Sequence, residues 1–212
     1  EADGFPEVLC RAKNTALLLS GTTGAVKWEP PEGSALYLRF LVMQDFNGDG
    51  IADVAYGNAG HSGQKLSGAT HLYSFFPKVT KFAKTPDKDP FGDRMSADGQ
   101  RLLDVDGDGA DDLFIVRQLA VDGGHALAWS AKTGKLIAQS DKLAKAMCNR
   151  AVSLPQPEGA PVIVCIANQA APGLLGKLRG AFALRKNGAK FDVVWSIALK
   201  DPTKDRFVVP SG

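Results

Sequence analysis

The chain has 212 residues and a formal net charge of +2, and its 44% hydrophobic and 23% charged residues, with 23 glycines and 12 prolines, are typical of a soluble globular protein rich in turns. No run of lysine and arginine is dense enough to line a groove for a polyanion, so we do not expect nucleic acid as a partner. The longest apolar runs, such as residues 161–167, are too short to cross a bilayer, so we do not expect membrane insertion either.

Two kinds of element alternate along the chain. The first is a loop around a glycine that runs into an apolar strand, and it occurs at residues 1–10, 45–58, 104–116 and 155–165. The second is a stretch with apolar residues at alternate positions, and it begins at Ala16, Ala69, Ala126 and Ala181. Period-two alternation that is bounded by Gly, Thr, Asn and Lys turns predicts β-hairpins.

These elements form an internal repeat of four units. Alignment of the loops on Gly4, Gly50, Gly109 and Gly159 gives intervals of 46, 59 and 50 residues, which is the size of a supersecondary unit. Further apolar stretches before each loop and after each hairpin bring the number of predicted strands to four per unit. Units of four antiparallel strands with this spacing are typical of β-propeller blades.

We therefore predict an all-β fold, with a single β-propeller domain over residues 1–212 and about four four-stranded blades. The blade units are approximately residues 1–36 together with 205–212, then 37–94, 95–147 and 148–204. The segment RFVVPSG, residues 206–212, has the form of a strand that precedes a loop, so we expect it to complete the N-terminal blade and close the ring. The alternative is that the four units are part of a larger propeller.

Two of the four loops have the composition of a site for a hard divalent cation. Calcium binds six or more oxygen ligands, and a short loop can supply them from alternate residues when glycines permit a tight bend. The predicted ligands of the first site are the side chains of Asp45, Asn47, Asp49 and Asp53 and the carbonyl of Ile51. Those of the second site are the side chains of Asp104, Asp106, Asp108 and Asp112 and the carbonyl of Ala110.

Charge repulsion favours a bound cation over the alternative of a solvated aspartate-glycine turn. Four carboxylates that converge on one point repel each other strongly unless a cation neutralises them. The spacing occurs twice, and each loop runs directly into an apolar strand. An EF-hand is excluded, because position 12 carries no glutamate and no helices flank the loops. The sequence thus predicts two structural calcium sites.

The remaining two loops depart from this pattern. Near the N-terminus Asp3 and Glu7 occupy the fifth and ninth loop positions, and a third calcium site is considered there. In the loop LPQPEGAPV only Glu158 remains at a ligand position, and Val162 replaces the last aspartate. We expect this fourth loop to keep its shape without metal.

The chain has three cysteines, and their spacing fits no zinc motif. Cys148 and Cys165 flank a predicted hairpin, so a cross-strand disulfide is expected if the compartment is oxidising. Cys10 is then left over and is expected to be a buried thiol.

The stretches DFNGDGIADVAYGNAG and GATHLYS resemble the FG-GAP repeats of integrin α-chain propellers and related secreted bacterial proteins, and DVDGDGADDLFIV with GGHALAWS resembles them less fully. The resemblance implies a secreted protein, extracellular or periplasmic, in which calcium stabilises a propeller used for adhesion or ligand binding. The family usually has seven blades, and a chain of four units departs from that number.

The sequence favours binding over catalysis. His61, His71 and His125 are the only histidines, and none stands in a recognisable arrangement with a nucleophile. The loops at 57–68 and 168–180 are glycine-rich and unequal in length, so they are predicted to contact a protein or glycan ligand. The alternative is the propeller domain of a secreted polysaccharide-degrading or quinoprotein-type enzyme.

Overall fold

A computed structural model gives the fold of this chain. It describes residues 6–12, 15–31, 38–58, 69–75, 78–88, 90–91, 100–119, 123–141, 143, 148, 150–167 and 180–198. All the regular elements in these ranges are β-strands, so the predicted all-β class is confirmed. In the same ranges, no helix has the length and apolar character needed to cross a membrane.

The N-terminal strands form two small antiparallel sheets. The first sheet contains β1 (Val8–Ala12), β2 (Thr15–Leu19) and β3 (Val26–Trp28) in sequential order. The second contains β4 (Leu38–Gln44), β5 (Asp53–Asn58), β6 (Thr70–Ser74) and β7 (Thr80–Lys84), again in sequential order. Both sheets are open meanders, because each strand pairs with its neighbour in the chain.

The other eight strands form one larger sheet, whose spatial order is β12-β13-β14-β15-β11-β10-β9-β8. These strands are β8 (Arg101–Leu103), β9 (Asp112–Leu119), β10 (Gly123–Trp129), β11 (Leu136–Ser140), β12 (Arg150–Leu154), β13 (Val162–Ala167), β14 (Gly180–Asn187) and β15 (Lys190–Ala198).

Two four-stranded antiparallel meanders, β8–β11 and β12–β15, make up this larger sheet. They are joined by a short parallel pairing in which Gln139 lies opposite Lys190 and Ser140 opposite Phe191. The end strands β8 and β12 also lie beside each other, so the sheet is nearly closed and barrel-like. A ring of four separate blades therefore stays a prediction.

The same strand register recurs in all four repeats. The residue seven positions after the aligned loop glycine pairs with Ala16, Thr70, Ala126 or Ala181 on the next strand. In unit 2 the register thus aligns Thr70, not Ala69, with the alanines of the other units. Two residues later every unit has a β-bulge, at Leu18/Leu19, Leu72/Tyr73, Ala128/Trp129 and Ala183/Leu184. A bulge that recurs at one position is a built-in feature of a β-sheet, so the sequence repeat is also a structural repeat.

The chain consists of two compact units, residues 1–100 with 131–135, and residues 101–130 with 136–212. In the first unit, Leu18 and Trp28 of the first sheet pack with Val54, Tyr56 and Tyr73 of the second. In the second unit, the β8–β11 and β12–β15 meanders share a core that includes Phe114, Ala128, Ile163, Leu184 and Phe191. Each core thus lies between two neighbouring repeats, because the strands of one repeat bury an apolar face against those of the other.

A disulfide joins Cys148 and Cys165, as predicted, with 5.2 Å between their Cα atoms. Cys165 lies on β13 within the core of the second unit. Cys10 is a free cysteine, and its side chain is partly exposed instead of buried as expected. It lies on the face of the first sheet opposite the core, because the neighbouring residue Leu9 contacts the core and strand side chains alternate.

Candidate metal centre

The two predicted metal loops occupy equivalent places in the fold. One connects β4 to β5, and the other connects β8 to β9. In each loop two glycines adopt positive φ, 80° and 84° at Gly48 and Gly50 and 85° at both Gly107 and Gly109. This left-handed conformation is inexpensive only for glycine, so the two glycines set the tight curvature that turns alternate side chains inward.

Asp104, at the first position of the loop at 104–112, organises that loop. Its two carboxylate oxygens accept hydrogen bonds from the backbone N–H groups of Gly107 (2.7 Å) and Gly109 (3.2 Å). Asp106 accepts one from the N–H of Asp108 at 3.3 Å, and Asp108 accepts one from Ala110 at 2.8 Å. The acidic side chains are therefore held over the loop by its own backbone donors.

Asp104, Asp106 and Asp108 form the acidic group of this loop. Each offers a carboxylate oxygen, and these oxygens lie within 4.8 Å of one another. Two of the side chains are half-buried and that of Asp108 is exposed. Carboxylates at such separations repel one another, and a carboxylate that accepts one backbone hydrogen bond still has free lone pairs. The group could hold a metal ion, which is the chemistry predicted for these residues.

Asp112, the predicted ligand at the ninth position, is not part of this group, and its coordination of a metal stays a prediction. Its side chain is buried, and one of its oxygens accepts a hydrogen bond from the N–H of Val105 at 3.2 Å. Burial raises the pKa of Asp112 to about 7, with a further contribution from the charges of Asp106, Asp108 and Asp104, and the Val105 N–H opposes the shift only in part. A nearby cation would favour the ionised form, so the protonation of Asp112 and metal binding are coupled.

The loop at 45–53 repeats the same arrangement with one substitution. Asp45 accepts hydrogen bonds from the N–H groups of Gly48 (2.7 Å), Asp49 (3.2 Å) and Gly50 (2.8 Å). Asn47 takes the place of Asp106, and its side-chain oxygen accepts from the N–H of Asp49 at 2.9 Å. The hydrogen bond from the Gly50 N–H, supported by those from Gly48 and Asp49, lowers the pKa of Asp45. This loop thus keeps the hydrogen-bond geometry and has one aspartate fewer at the predicted ligand positions.

Asp53 corresponds to Asp112 and closes the loop at 45–53. Its side chain is fully buried and accepts hydrogen bonds from the N–H groups of Phe46 (3.1 Å) and Asn47 (3.3 Å). Burial raises the pKa of Asp53, and the charge of Asp49 adds to the shift. Burial is the largest cause of both pKa shifts, and Asp112 also lies near three charged carboxylates where Asp53 lies near that of Asp49.

The carbonyl ligands predicted at the seventh position belong to Ile51 and Ala110. The N–H of Ile51 donates to Asp49 at 2.9 Å, and that of Ala110 donates to Asp108 at 2.8 Å. The backbone at both positions is therefore fixed by the acidic residue two places earlier. Coordination by the two carbonyls stays a prediction.

The other two loops differ from the metal loops as their sequences suggest. Glu7, proposed for the third site, forms an ion pair with Lys27 at 3.3 Å, and Asp3 lies outside the described residues. In the fourth loop Gly159 has a φ of 77°, close to the values at Gly50 and Gly109. That loop thus keeps the left-handed bend without the acidic ligands.

The residues that anchor the metal loops were not predicted from the sequence. The second position of each loop is apolar and buried, with Phe46 3% and Val105 0% exposed, and its N–H donates to the buried aspartate at the ninth position. The sequence does contain a signal for these anchors. In both loops a single apolar residue, Phe46 or Val105, stands between two polar ligand positions.

A cleft of about 550 Å³ lies beside the loop at 104–112, between β8 and β12. Its walls combine apolar side chains, including Leu102, Val152 and Pro155, with the polar groups of Ser153 and Asp111. The cleft could not be predicted from the sequence, because its two walls come from different repeats.

The described histidines are core residues. His71 is buried and stacks on Tyr56, with 5.1 Å between the ring centroids. His125 is buried and its Nδ1 lies 3.0 Å from the carbonyl oxygen of Ser140. His61 and most residues of the predicted ligand loops, 57–68 and 168–180, lie outside the described part of the chain.

Comparison with models of protein families, with curated proteins and with solved structures found no match to this chain.

Proposed function

We propose that this chain is a secreted, calcium-stabilised β-propeller module that binds a protein or glycan ligand and performs no chemistry of its own. The observation that carries the proposal is the acidic group of Asp104, Asp106 and Asp108, whose oxygens lie within 4.8 Å of one another in a loop that the chain builds twice. Oxygen ligands at alternate positions of a tight loop fit a hard cation such as calcium. FG-GAP repeats, which these loops resemble in sequence, combine the same loop with a blade.

The donor sets of both loops fit calcium. Asp104, Asp106 and Asp108 in one loop, and Asp45, Asn47 and Asp49 in the other, would bind the ion through oxygen atoms only, which is the preference of calcium over zinc. Bound calcium would neutralise the carboxylates and hold each loop against the start of the following strand. Its role here is structural, because binding to the folded loop adds to the free energy of unfolding.

The strand register supports a propeller of four blades. Repeats 2, 3 and 4 each contain four consecutive antiparallel strands. In each of these repeats the strand after the loop, β5, β9 or β13, lies between two partner strands. In the first sheet, the equivalent strand β1 pairs with β2 and has no second partner among the described strands. We propose that the segment 205–212 supplies this partner.

The exposed apolar residues of the first and fourth repeats also support blades that have a neighbour on each face. The first sheet exposes Val8 and Val26, and the fourth unit exposes Val152, Trp195 and Ile197, each between 39% and 58% exposed. In the fourth unit these residues lie on the face opposite the core, where Val152 and Trp195 belong to one cross-strand row through Val164 and Ala183. A propeller blade buries both of its faces, so an apolar second face is expected.

The Cys148–Cys165 disulfide supports secretion, because disulfides persist mainly in oxidising compartments such as the periplasm and the extracellular space. The cleft between β8 and β12 supports a binding role, since it places apolar and polar groups side by side next to a metal loop.

Thermal unfolding with and without a chelator tests the calcium sites. We expect the melting temperature to fall when calcium is removed, and an Asp49→Ala, Asp108→Ala double variant to melt at the lower temperature in either condition. Asp192→Ala, on the exposed face of β15, is the matched control for loss of a carboxylate. Equal melting of the wild-type protein with calcium and with chelator would remove the calcium proposal.

Glycan and peptide arrays probed in calcium and in chelator test the binding function. We expect retention of one ligand class in calcium and its loss in chelator, because the loops that shape the surface depend on the ion. Pro155→Asp places a charge on the wall of the cleft at an exposed position and tests whether the cleft is the site. Turnover of a polysaccharide by the purified chain would contradict the non-catalytic proposal.

A further inference from the structure

The loop at 104–112 rests on a hydrogen bond from the next repeat. The hydroxyl of Ser153, on β12, donates to the backbone carbonyl oxygen of Asp104 at 2.7 Å, and the two residues are 49 positions apart in the sequence. Both side chains are partly buried, so water competes only in part for this bond. The contact fixes the backbone of the first residue of the metal loop.

A second contact braces the same loop from the same side. A Cβ atom at Gly107 would lie 3.3 Å from Cδ of Pro161 and 3.8 Å from the carbonyl oxygen of Gly159. Pro161 is buried, and its ring removes conformational freedom from the fourth loop. The glycine of the metal loop therefore lies directly against a rigid part of the neighbouring loop.

Ser153 contacts Asp104 itself, and Pro161 lies against Gly107, whose N–H donates to Asp104. Asp104 holds the N–H groups of Gly107 and Gly109 through its carboxylate, so its own backbone position sets where the other ligands lie. Ligands that are held in place before an ion arrives lose less conformational entropy on binding. Outer contacts that orient metal ligands commonly change metal affinity by about 10- to 100-fold when they are removed.

We propose that Ser153 and Pro161 are positioning residues for calcium at the 104–112 loop, so that the fourth repeat, which carries almost no ligands itself, sets the affinity of the third. This inference rests on the proposed calcium function. It assigns a role to the fourth loop: the bend at Gly159 and the ring of Pro161 serve as a support for its neighbour. It also implies the reciprocal effect, in which calcium stabilises the packing of β12 beside β8.

Calorimetric titration with calcium of a pair of isosteric variants tests the inference. Ser153→Thr keeps the hydroxyl and Ser153→Val replaces it with a methyl group of nearly the same volume. Both are made in an Asp49→Ala background, which leaves the 104–112 loop as the intact site. We expect Ser153→Val to weaken calcium binding by about 10-fold relative to Ser153→Thr.

The other loop provides the control. In an Asp108→Ala background, which leaves the 45–53 loop intact, the same two variants are expected to bind calcium equally, since the ligands of that loop belong to the other compact unit. A general loss of folding would weaken both sites and would show as a changed circular dichroism spectrum. Pro161→Ala is the second variant, and we expect it to weaken only the 104–112 site by severalfold.

The outcomes separate this inference from the function on which it rests. Calcium binding that is equal in Ser153→Val and Ser153→Thr, and unchanged in Pro161→Ala, would overturn the positioning role and leave the calcium sites standing. Absence of calcium binding by the wild-type chain would overturn both. Equal weakening of both loops by Ser153→Val would also contradict the inference, because it would indicate a loss of general stability.

Discussion

The aspartates of each predicted metal loop differ in how deeply their side chains are buried. Asp104, Asp106 and Asp108 reach solvent in part, whereas Asp112 is buried beside the start of β9. A carboxylate that is buried without a cation favours its protonated form. The same residue type thus provides three partly or fully exposed carboxylates and one buried carboxyl group with a raised pKa.

The raised pKa of Asp112 predicts how stability depends on pH in the metal-free protein. A folded-state pKa of about 7, above the unfolded value of about 3.9, means that the folded protein holds a proton that the unfolded chain has lost. The stabilisation is complete below about pH 4 and is lost as the pH rises towards about 7, by up to about 1.4 kcal/mol per pH unit. Asp112→Asn cannot titrate and should lack this slope.

Urea unfolding in chelator between about pH 5 and pH 8 measures the effect. We expect the free energy of unfolding of the wild-type protein to decline relative to that of Asp112→Asn as the pH rises, with Asp111→Asn as the control for loss of one charge. Saturating calcium should reverse the trend, because the cation stabilises the ionised carboxylate. Parallel pH profiles for the wild type and Asp112→Asn in chelator would contradict the prediction.

The strand pairs show which parts of each element are encoded locally. Period-two patterns predicted the positions of most strands, and Gly50 and Gly109 marked the bends that precede β5 and β9. The bulge that follows Leu18, Leu72, Ala128 and Ala183 was not predicted, because a bulge depends on the partner strand as well as on its own sequence.

The edge of β1, which has no second partner among the described strands, predicts an effect of the C-terminal segment. On the proposed pairing of residues 205–212 with β1, their deletion removes that partner, so the amides of β1 should exchange faster with solvent. Hydrogen exchange measured by mass spectrometry compares the full chain with this deletion, and a deletion of residues 211–212 alone is the control. We expect loss of protection at residues 8–12 only in the longer deletion. Unchanged exchange at these residues would mean that another segment, or none, pairs with β1.

At the scale of the whole molecule, neighbouring repeats complete one another. Each of the two compact units contains a core that two repeats share, and a single meander would leave an apolar face in water. The same holds for the loops: Ser153 on β12 and Pro161 in the fourth loop both contact the loop at 104–112 of the third repeat. The repeat is therefore a unit of sequence, and a pair of repeats is the unit of packing.

The sequence by itself determined the all-β class, the four-fold repeat and the local shape of the two acidic loops, because these features follow from side-chain alternation, glycine conformation and short-range hydrogen bonds. Only the tertiary structure decided the parallel pairing of β11 with β15, the burial of Asp112 and the contact of Ser153 with Asp104. These depend on how residues dozens of positions apart are brought together when apolar faces pack, and that packing is a property of the sheets as a group.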